Sequence, residues 1–362
     1  MKNENKRTQG IVLPLVLIIG LLLSAGIFTF LNRSIVDGIL VSNRDNSAAA
    51  IALARGGIQI GTAVVYRQRY RAQVLVNSNR DAGSTLDDFW ARVGYSSLET
   101  EWGGKLVVEV EDAGARLNIN ALVPQGVETQ SDEEASQESR ASEESEEFLV
   151  EVLRKVIMEM EPSEEREFTY DERELARNLI DYLDADDIAI NGRNEDDYYL
   201  SRNPPYSPAN GPMMSIDEIA MVEGFDVDLA NAMKPYFTVH PLLGEQGINV
   251  NTAPSHVLAL LYFGSSGDMS LAREDVVGDI LKVREAGRFV CSETESDTKK
   301  CVPLSEVGLA EGGIFPPVSL PQVSLVFKIT ARAEVNQVVR SIEAVIDLTN
   351  RETPQLLSWR SN

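Results

Sequence analysis

Residues 1–30 read MKNENKRTQG followed by IVLPLVLIIGLLLSAGIFTF, a charged leader running straight into twenty apolar or weakly polar residues, Ile11 to Phe30. The small residue stands before the apolar run, at Gly10. A secretory signal peptide carries its small-residue cleavage site after the run, so its apolar segment is discarded; a cut between Gly10 and Ile11 would keep that segment as a new N-terminus. Ser24-Ala25-Gly26, after Val16 to Leu23, has the form of an ordinary signal-peptidase site and is the alternative. Length favours retention, because twenty residues cross ~30 Å of hydrocarbon as a helix, whereas signal-peptide cores run about 7 to 15 residues. Lys2, Lys6 and Arg7 hold the N-terminus in the cytoplasm and leave everything after Asn32 on the far side. Pro14 and Gly20 are tolerable in a membrane helix that packs against protein partners.

Beyond the membrane the apolar stripe keeps a helical spacing through Ile35, Ile39, Leu40, Ala50, Leu53, Ile58, Ile60, Val64 and Val65, predicting one long helix to about Arg71. Gly56, Gly57 and Gly61 cost it propensity, about 1 kcal/mol each, and permit close approach of another element. Lys105 to Glu111 alternates as a strand does, and so do Ser324 to Glu334 and Val338 to Leu348, joined through Val335-Asn336-Gln337 as a hairpin. The fold class is therefore α+β, a long N-terminal helix on a small antiparallel sheet. More than 200 residues separate the first strand from the last two, and they form an insertion that is mainly helical. Within it Leu117-Asn-Ile-Asn-Ala-Leu122 is echoed by Ile248-Asn-Val-Asn-Thr-Ala253, a faint repeat that suggests two related modules of the sterile-alpha-motif-like kind. The divisions are leader 1–10, membrane segment 11–31, helix and first strand 32–112, first module 113–240, second module 241–319 and closing strands 320–362. Residues 125–147, rich in Ser, Gln and Glu, read as a solvated acidic loop. Helices are expected over 146–160, 171–183 and 215–222, the last opened by the capping box Ser215-Ile-Asp-Glu218 and ended at Gly224.

A net charge of −23, with no basic stripe, excludes a nucleic-acid partner, since clustered Lys and Arg are needed to displace phosphate counterions. Ser215 to Ala232 has a helix-hairpin-helix outline, but in so acidic a chain it reads as a packing unit. His240 and His256 belong to no zinc pattern, Gly264-Ser-Ser-Gly267 is too short for a nucleophile elbow, and no phosphate-binding glycine loop occurs, so no enzyme is expected. Cys291 and Cys301 bracket a polar loop; an exported chain would join them, and two free surface thiols are the alternative. The densest chemistry is Asp181 to Asp187 with Asn194 to Tyr199, whose crowded carboxylates suit a hard cation such as Ca²⁺. Asp184, Asp186 and Glu195 fall at positions 1, 3 and 12 of an EF-hand register, which then fails at Ile188 and Ala189. The candidate ligands for a looser calcium loop, structural in role, are Asp184, Asp186, Asp187, Glu195 and Asp197; a solvated acidic turn is the alternative. Glu293, Glu295 and Asp297 are a second candidate set.

The Gly10/Ile11 junction, Ala52-Leu-Ala-Arg-Gly-Gly57, Asn118-Ile-Asn120, Asp181 to Asp187, Glu195-Asp-Asp-Tyr-Tyr-Leu200, Pro204-Pro-Tyr206 and Ile248 to Ala253, in this order, resemble the type II secretion system minor pseudopilin K family. The resemblance implies cleavage and N-methylation by the prepilin peptidase at Gly10/Ile11, a tip complex with minor pseudopilins I and J, contacts with other pseudopilins and the inner-membrane assembly platform, and calcium in the inserted domain. Ordinary pilins carry a Glu at the fifth mature position that pairs with the amine of the subunit above. Counting from Ile11, that position here is Leu15, which suits a subunit with nothing above it, since a carboxylate in a bilayer without a partner costs on the order of 3 kcal/mol. The expected function is a non-enzymatic cap that initiates a periplasmic pseudopilus for export of folded proteins, anchored in the inner membrane. The alternative is a single-pass receptor or scaffold that keeps residues 1–10 and stays where it is inserted.

Overall fold

A computed structural model describes residues 9–77, 84–95, 97–123, 132–160, 170–242, 247–265, 268–291, 300–309, 314–315, 323–350 and 353–362. Glu293, Glu295, Asp297 and the leader cations Lys2, Lys6 and Arg7 lie outside these residues.

Helix α1, Gln9–Asn77, runs unbroken through Pro14 and contains the stretch long and apolar enough to cross a membrane. Its later half packs on a five-stranded antiparallel sheet made of β1 (Leu98–Glu99), β2 (Lys105–Asp112), β3 (Val326–Val335), β4 (Val338–Asp347) and β5 (Gln355–Ser361), in that spatial order. Ala50, Ala54, Ile58 and Val65 of α1 meet Leu106, Val108, Ile329, Ala331 and Ala344 in one core. Gly57 and Gly61 set the distance: a Cβ at Gly57 would stand 2.8 Å from Ala331 Cβ, and one at Gly61 would stand 2.6 Å from Ile329 Cγ2. Gly56 faces open space and contributes nothing to that approach. The β3–β4 turn has two residues, Asn336 and Gln337, both at positive φ (47° and 69°), the mirror-type turn whose twist matches the flanking strands.

The insertion leaves the sheet after β2 and returns before β3. Two helices dominate its first part: α2 (Asp132–Glu159) and α3 (Glu172–Leu183), the latter capped by the Asp171 carboxylate, which accepts from the N–H groups of Arg173 and Glu174. The acidic loop expected at 125–147 is thus corrected from Asp132 onward, where the chain is already helical; residues 124–131 lie outside the described set. Glu, Gln, Ala and Arg are good helix formers, and acidic residues near an N-terminus complement the helix dipole. The packed half of α2, with Phe148, Leu149, Val152, Leu153 and Val156 buried, supplies the nucleus from which the polar half extends. Glu146 joins the two helices by accepting from Arg173 and Arg177 of α3. Over 215–222 the α-helix expected is a 3₁₀ segment, Ile216–Met221, although the capping box forms, with Glu218 Oε1 accepting from the Ser215 N–H at 2.7 Å. Gly224 takes φ +84° as the stop requires.

The repeat has a physical basis. Asn118 Oδ1 accepts the Asn120 N–H at 3.1 Å, and Asn249 Oδ1 accepts the Asn251 N–H at 3.1 Å. The second asparagine of each pair clamps a distant backbone through both ends of its amide. Asn120 accepts from the Met213 N–H and donates to the Met213 and Val239 carbonyls. Asn251 accepts from the Val290 N–H at 2.7 Å and donates to the Val290 carbonyl at 2.9 Å. The modules do not have separate cores, however: buried residues from Leu117 to Leu309 form one continuous cluster, with Phe148 against Tyr262 at 5.2 Å between ring centres.

One buried carboxylate ties this body to the sheet. Asp112, at the end of β2, accepts from Ser324 Oγ (2.6 Å), Thr252 Oγ1 (2.7 Å), Asn249 Nδ2 (2.9 Å) and the Gly114 N–H (2.9 Å). Cys291 and Cys301 are joined by a disulfide and buried beside Phe289.

Candidate metal centre

The end of α3 and the loop after it turn a run of acidic residues into a three-dimensional cluster. Asp181 lies in the last turn of α3, Asp184 caps its C-terminus, and Glu195 precedes the short helix Asp196–Leu200. Between them the chain folds back on itself. Ile188 and Asn194 form an antiparallel bridge, the Ala189 N–H donates to the Arg193 carbonyl at 2.9 Å, and the Glu195 N–H donates to the Asp187 carbonyl at 3.2 Å. Gly192, at φ +81°, makes the reversal. The result places one oxygen each of Asp181, Asp184 and Glu195 within 4.8 Å of one another.

Burial makes this arrangement costly without a cation. Asp181 and Glu195 are each only 6% exposed. Asp184 Oδ1 and both carboxylate oxygens of Glu195 are buried without a hydrogen-bond partner, whereas Asp181 Oδ1 accepts from the Ile190 N–H at 3.0 Å. Desolvation first, and then the charges of its neighbours, pushes Asp184 up to about 7 and Glu195 up to about 8; burial likewise raises Asp181 to about 6 against its backbone hydrogen bond. Calcium binds oxygen at about 2.3–2.6 Å, so opposed ligands stand about 5 Å apart and three oxygens inside 4.8 Å can share one ion. Beside the trio is a cavity of about 30 Å³ bordered by Asp181, Glu195, Asp197, Asn194 and Tyr199.

Of the candidate ligands, Asp184 and Glu195 are brought together. Asp186, Asp187 and Asp197 fall outside the cluster. Asp186 Oδ1 accepts from the Ile188 N–H at 2.7 Å and Asp187 Oδ1 accepts from Asn210 Nδ2 at 3.1 Å, so both carboxylates fasten the loop and its neighbour. Asp197 borders the cavity instead. The residue the candidate set lacked is Asp181. Its signal was spacing: three residues before Asp184 on a helix, it shares that residue's face, and Leu179, Ile180 and Leu183 around it are buried.

The chain's two histidines, His240 and His256, also lie within the insertion. His240 is buried, and its Nδ1 has no hydrogen-bond partner; burial lowers its pKa. His256 packs edge-on against Tyr236 at 5.1 Å between ring centres.

Residues 115–242 match the family model described as Type II secretion system (T2SS), protein K. That segment holds Asn118 to Asn120, Asp181 to Asp187, Glu195 to Leu200 and Pro204 to Tyr206, most of the motifs that carry the resemblance. Curated relatives named Type II secretion system protein K come from Pectobacterium carotovorum (26% identical over 171 residues, 47% of this chain and 47% of the relative), Pseudomonas aeruginosa (26% over 210 residues, 58% and 54%) and Aeromonas hydrophila (28% over 194 residues, 52% and 54%). The chain spans about half the length of the curated relatives it matches. A solved structure, the GspK-GspI-GspJ complex from the type 2 secretion system of enterotoxigenic Escherichia coli, contains a chain of the same fold, with a TM-score of 0.57, 17% identity, and 89% of this chain and 99% of that chain covered.

Proposed function

We propose that this chain is a minor pseudopilin of a type II secretion system, standing at the tip of a periplasmic pseudopilus and helping to initiate its assembly for export of folded proteins across the outer membrane. The observation that carries this reading is the insertion. A sheet packed on a long N-terminal helix is interrupted between β2 and β3 by more than 200 residues that bury one core and are locked to the sheet through Asp112. Such a body, larger than the head that bears it, would obstruct any subunit stacked above, and Leu15 leaves no charge in the apolar run awaiting an upper partner. In this reading α1 anchors the chain in the inner membrane with its N-terminus cytoplasmic, and its neighbours are subunits I and J, which share the solved complex with the related chain. The role is structural rather than enzymatic.

The same reading includes calcium held by Asp181, Asp184 and Glu195. The support is the set of three buried oxygens with no donor, at Asp184 and Glu195, which a divalent cation would satisfy. When bound, the ion supplies positive charge where three carboxylates repel one another, and it links the end of α3 to the returning loop.

Intact-mass spectrometry of the protein extracted from its host's membranes tests the filament role. A mature chain beginning at Ile11 with one added methyl is the expected result. Retention of Met1 to Gly10 would favour a receptor that stays in the membrane, and a start beyond Phe28 would remove the anchor and the filament with it.

A further inference from the structure

Among the described residues β5 pairs with β4 alone and stands at an edge of the sheet. Ser341 and Asn362 exchange both backbone hydrogen bonds, at 3.1 and 2.9 Å. Pairing alternates along an antiparallel ladder, so Arg360 turns its backbone groups toward β4 while Trp359 and Ser361 turn theirs away from it. Neither outward N–H meets an acceptor among the described residues. At the opposite edge β1 pairs only with Lys105 and Leu106 of β2, and the turn at Gly94 lies against the β2 backbone at Val108 and Glu109.

Exposed edges are ordinarily blunted by charge, proline, a bulge or a covering element. β5 reads Gln355-Leu-Leu-Ser-Trp-Arg-Ser361, without proline and with one charge, Arg360, which is already engaged by Asp217 at 3.1 Å and by Ser215 Oγ at 3.3 Å. Its one irregularity lies opposite Val345/Ile346, away from residues 359–361. The side chains add a second component. Trp359 stands opposite Ala344 and Leu356 opposite Ile346, and both of those partners are buried in the core beneath α1. Trp359 and Leu356 therefore carry the core-facing side of the sheet beyond the reach of α1, where they are 44% and 56% exposed.

We infer that the outer edge of β5 is a docking strand for an extended segment of a different protein, one with alternating apolar side chains and a basic flank, which adds to the sheet by β-augmentation. Main-chain groups of Trp359 and Ser361 provide the ladder, and the Trp359 and Leu356 side chains select apolar partners on the α1 side. Charge separates this occupant from a second copy of the chain. Two molecules of net charge −23 repel, and Asp347 on β4 stands opposite Gln355 at the Leu356 end of the contact, while Glu343 is already paired with Lys328 at 3.7 Å, so a basic flank at that end is favoured.

The probe is a fluorescein-labelled peptide of sequence Lys-Thr-Val-Thr-Val-Thr-Val-Lys, titrated by anisotropy against the full chain in detergent, with the same peptide N-methylated at alternate residues as its control. Two variants test the edge: Trp359→Ser, which removes the apolar contact, and Ser361→Pro, which removes an N–H that points away from β4 and leaves the native ladder intact. Saturable binding, weakened about tenfold or more by each variant and lost on N-methylation, is the expected result. Equal binding by parent and variants, or no saturable binding by a parent whose melting is unchanged, would overturn the inference. A parent that ignores the peptide but sediments as a dimer, and becomes monomeric as Trp359→Ser, would overturn it too by assigning the edge to a second copy.

Discussion

Glu195→Gln is expected to change the sign of its effect on stability according to whether calcium is present. Without a cation, Glu195 in the folded chain ionises at about 8, because it is desolvated and lies among Asp184, Asp181, Asp186 and Asp187. In the unfolded chain it ionises near its ordinary 4.5. At pH 7 folding therefore requires proton uptake, and at about 1.4 kcal/mol per pH unit the penalty is about 3 kcal/mol. Gln has nearly the same shape and no charge, so the metal-free variant is expected to melt above the parent by about 6 °C, at roughly 2 °C per kcal/mol for a chain of this size. In millimolar calcium the order reverses, because the parent offers a third carboxylate that the variant lacks. The pH dependence follows from the same shift. A raised folded-state pKa contributes stability that is fully present below about 4.5 and lost as pH rises through about 8, so the metal-free parent weakens between pH 5 and 8 while the variant weakens less. Tryptophan-fluorescence melting of the full chain in detergent, in EGTA and in calcium across that pH range, reads all of these outcomes. A variant that melts below the parent in EGTA, with both chains moved equally by calcium, would refute the reasoning.

Gly61→Leu places a side chain where a Cβ already meets Ile329 Cγ2 at 2.6 Å; it should destabilise the head by about 1–3 kcal/mol, while Gly56→Ala, with nothing within 4 Å, should be neutral or stabilise by up to about 1 kcal/mol, both measured by thermal melting. Asp112→Ala leaves the buried donors Asn249, Thr252 and Ser324 without their common acceptor, a loss of about 3–5 kcal/mol, and hydrogen exchange should quicken around 247–252 and 323–326 before it does in α3. Replacing Cys291 and Cys301 together by Ser should cost about 2–3 kcal/mol for a loop of this length, read from the denaturant midpoint, and a reductant should reproduce the loss in the parent.

What the sequence determined by itself was written in local spacing. The apolar run from Ile11, its helical continuation through Val65, the alternation of β2, β3 and β4 and the hairpin between the last two were legible, because periodicity of 3.6 or 2 reports which face an element must bury. The sequence places the turn at Val335-Asn336-Gln337, and pairing of Val335 with Val338 shortens it to two residues. The paired asparagines of the repeat were legible as a pattern, although their task of clamping Met213 and Val290 was not. Tertiary structure decided the rest. The polar half of α2 is helical through its continuity with a packed half, and the two modules share one core because Phe148 reaches Tyr262. β5, whose short mixed sequence has no clean alternation, is a strand because β4 offers it a ladder. The acidic cluster divides more finely still. Composition marked the carboxylates, but which of them meet depends on the Ile188–Asn194 bridge that returns Glu195 to the end of α3, beside Asp181 and Asp184. Charge along a chain is a local property, whereas convergence on one ion requires a particular path of the backbone between the ligands.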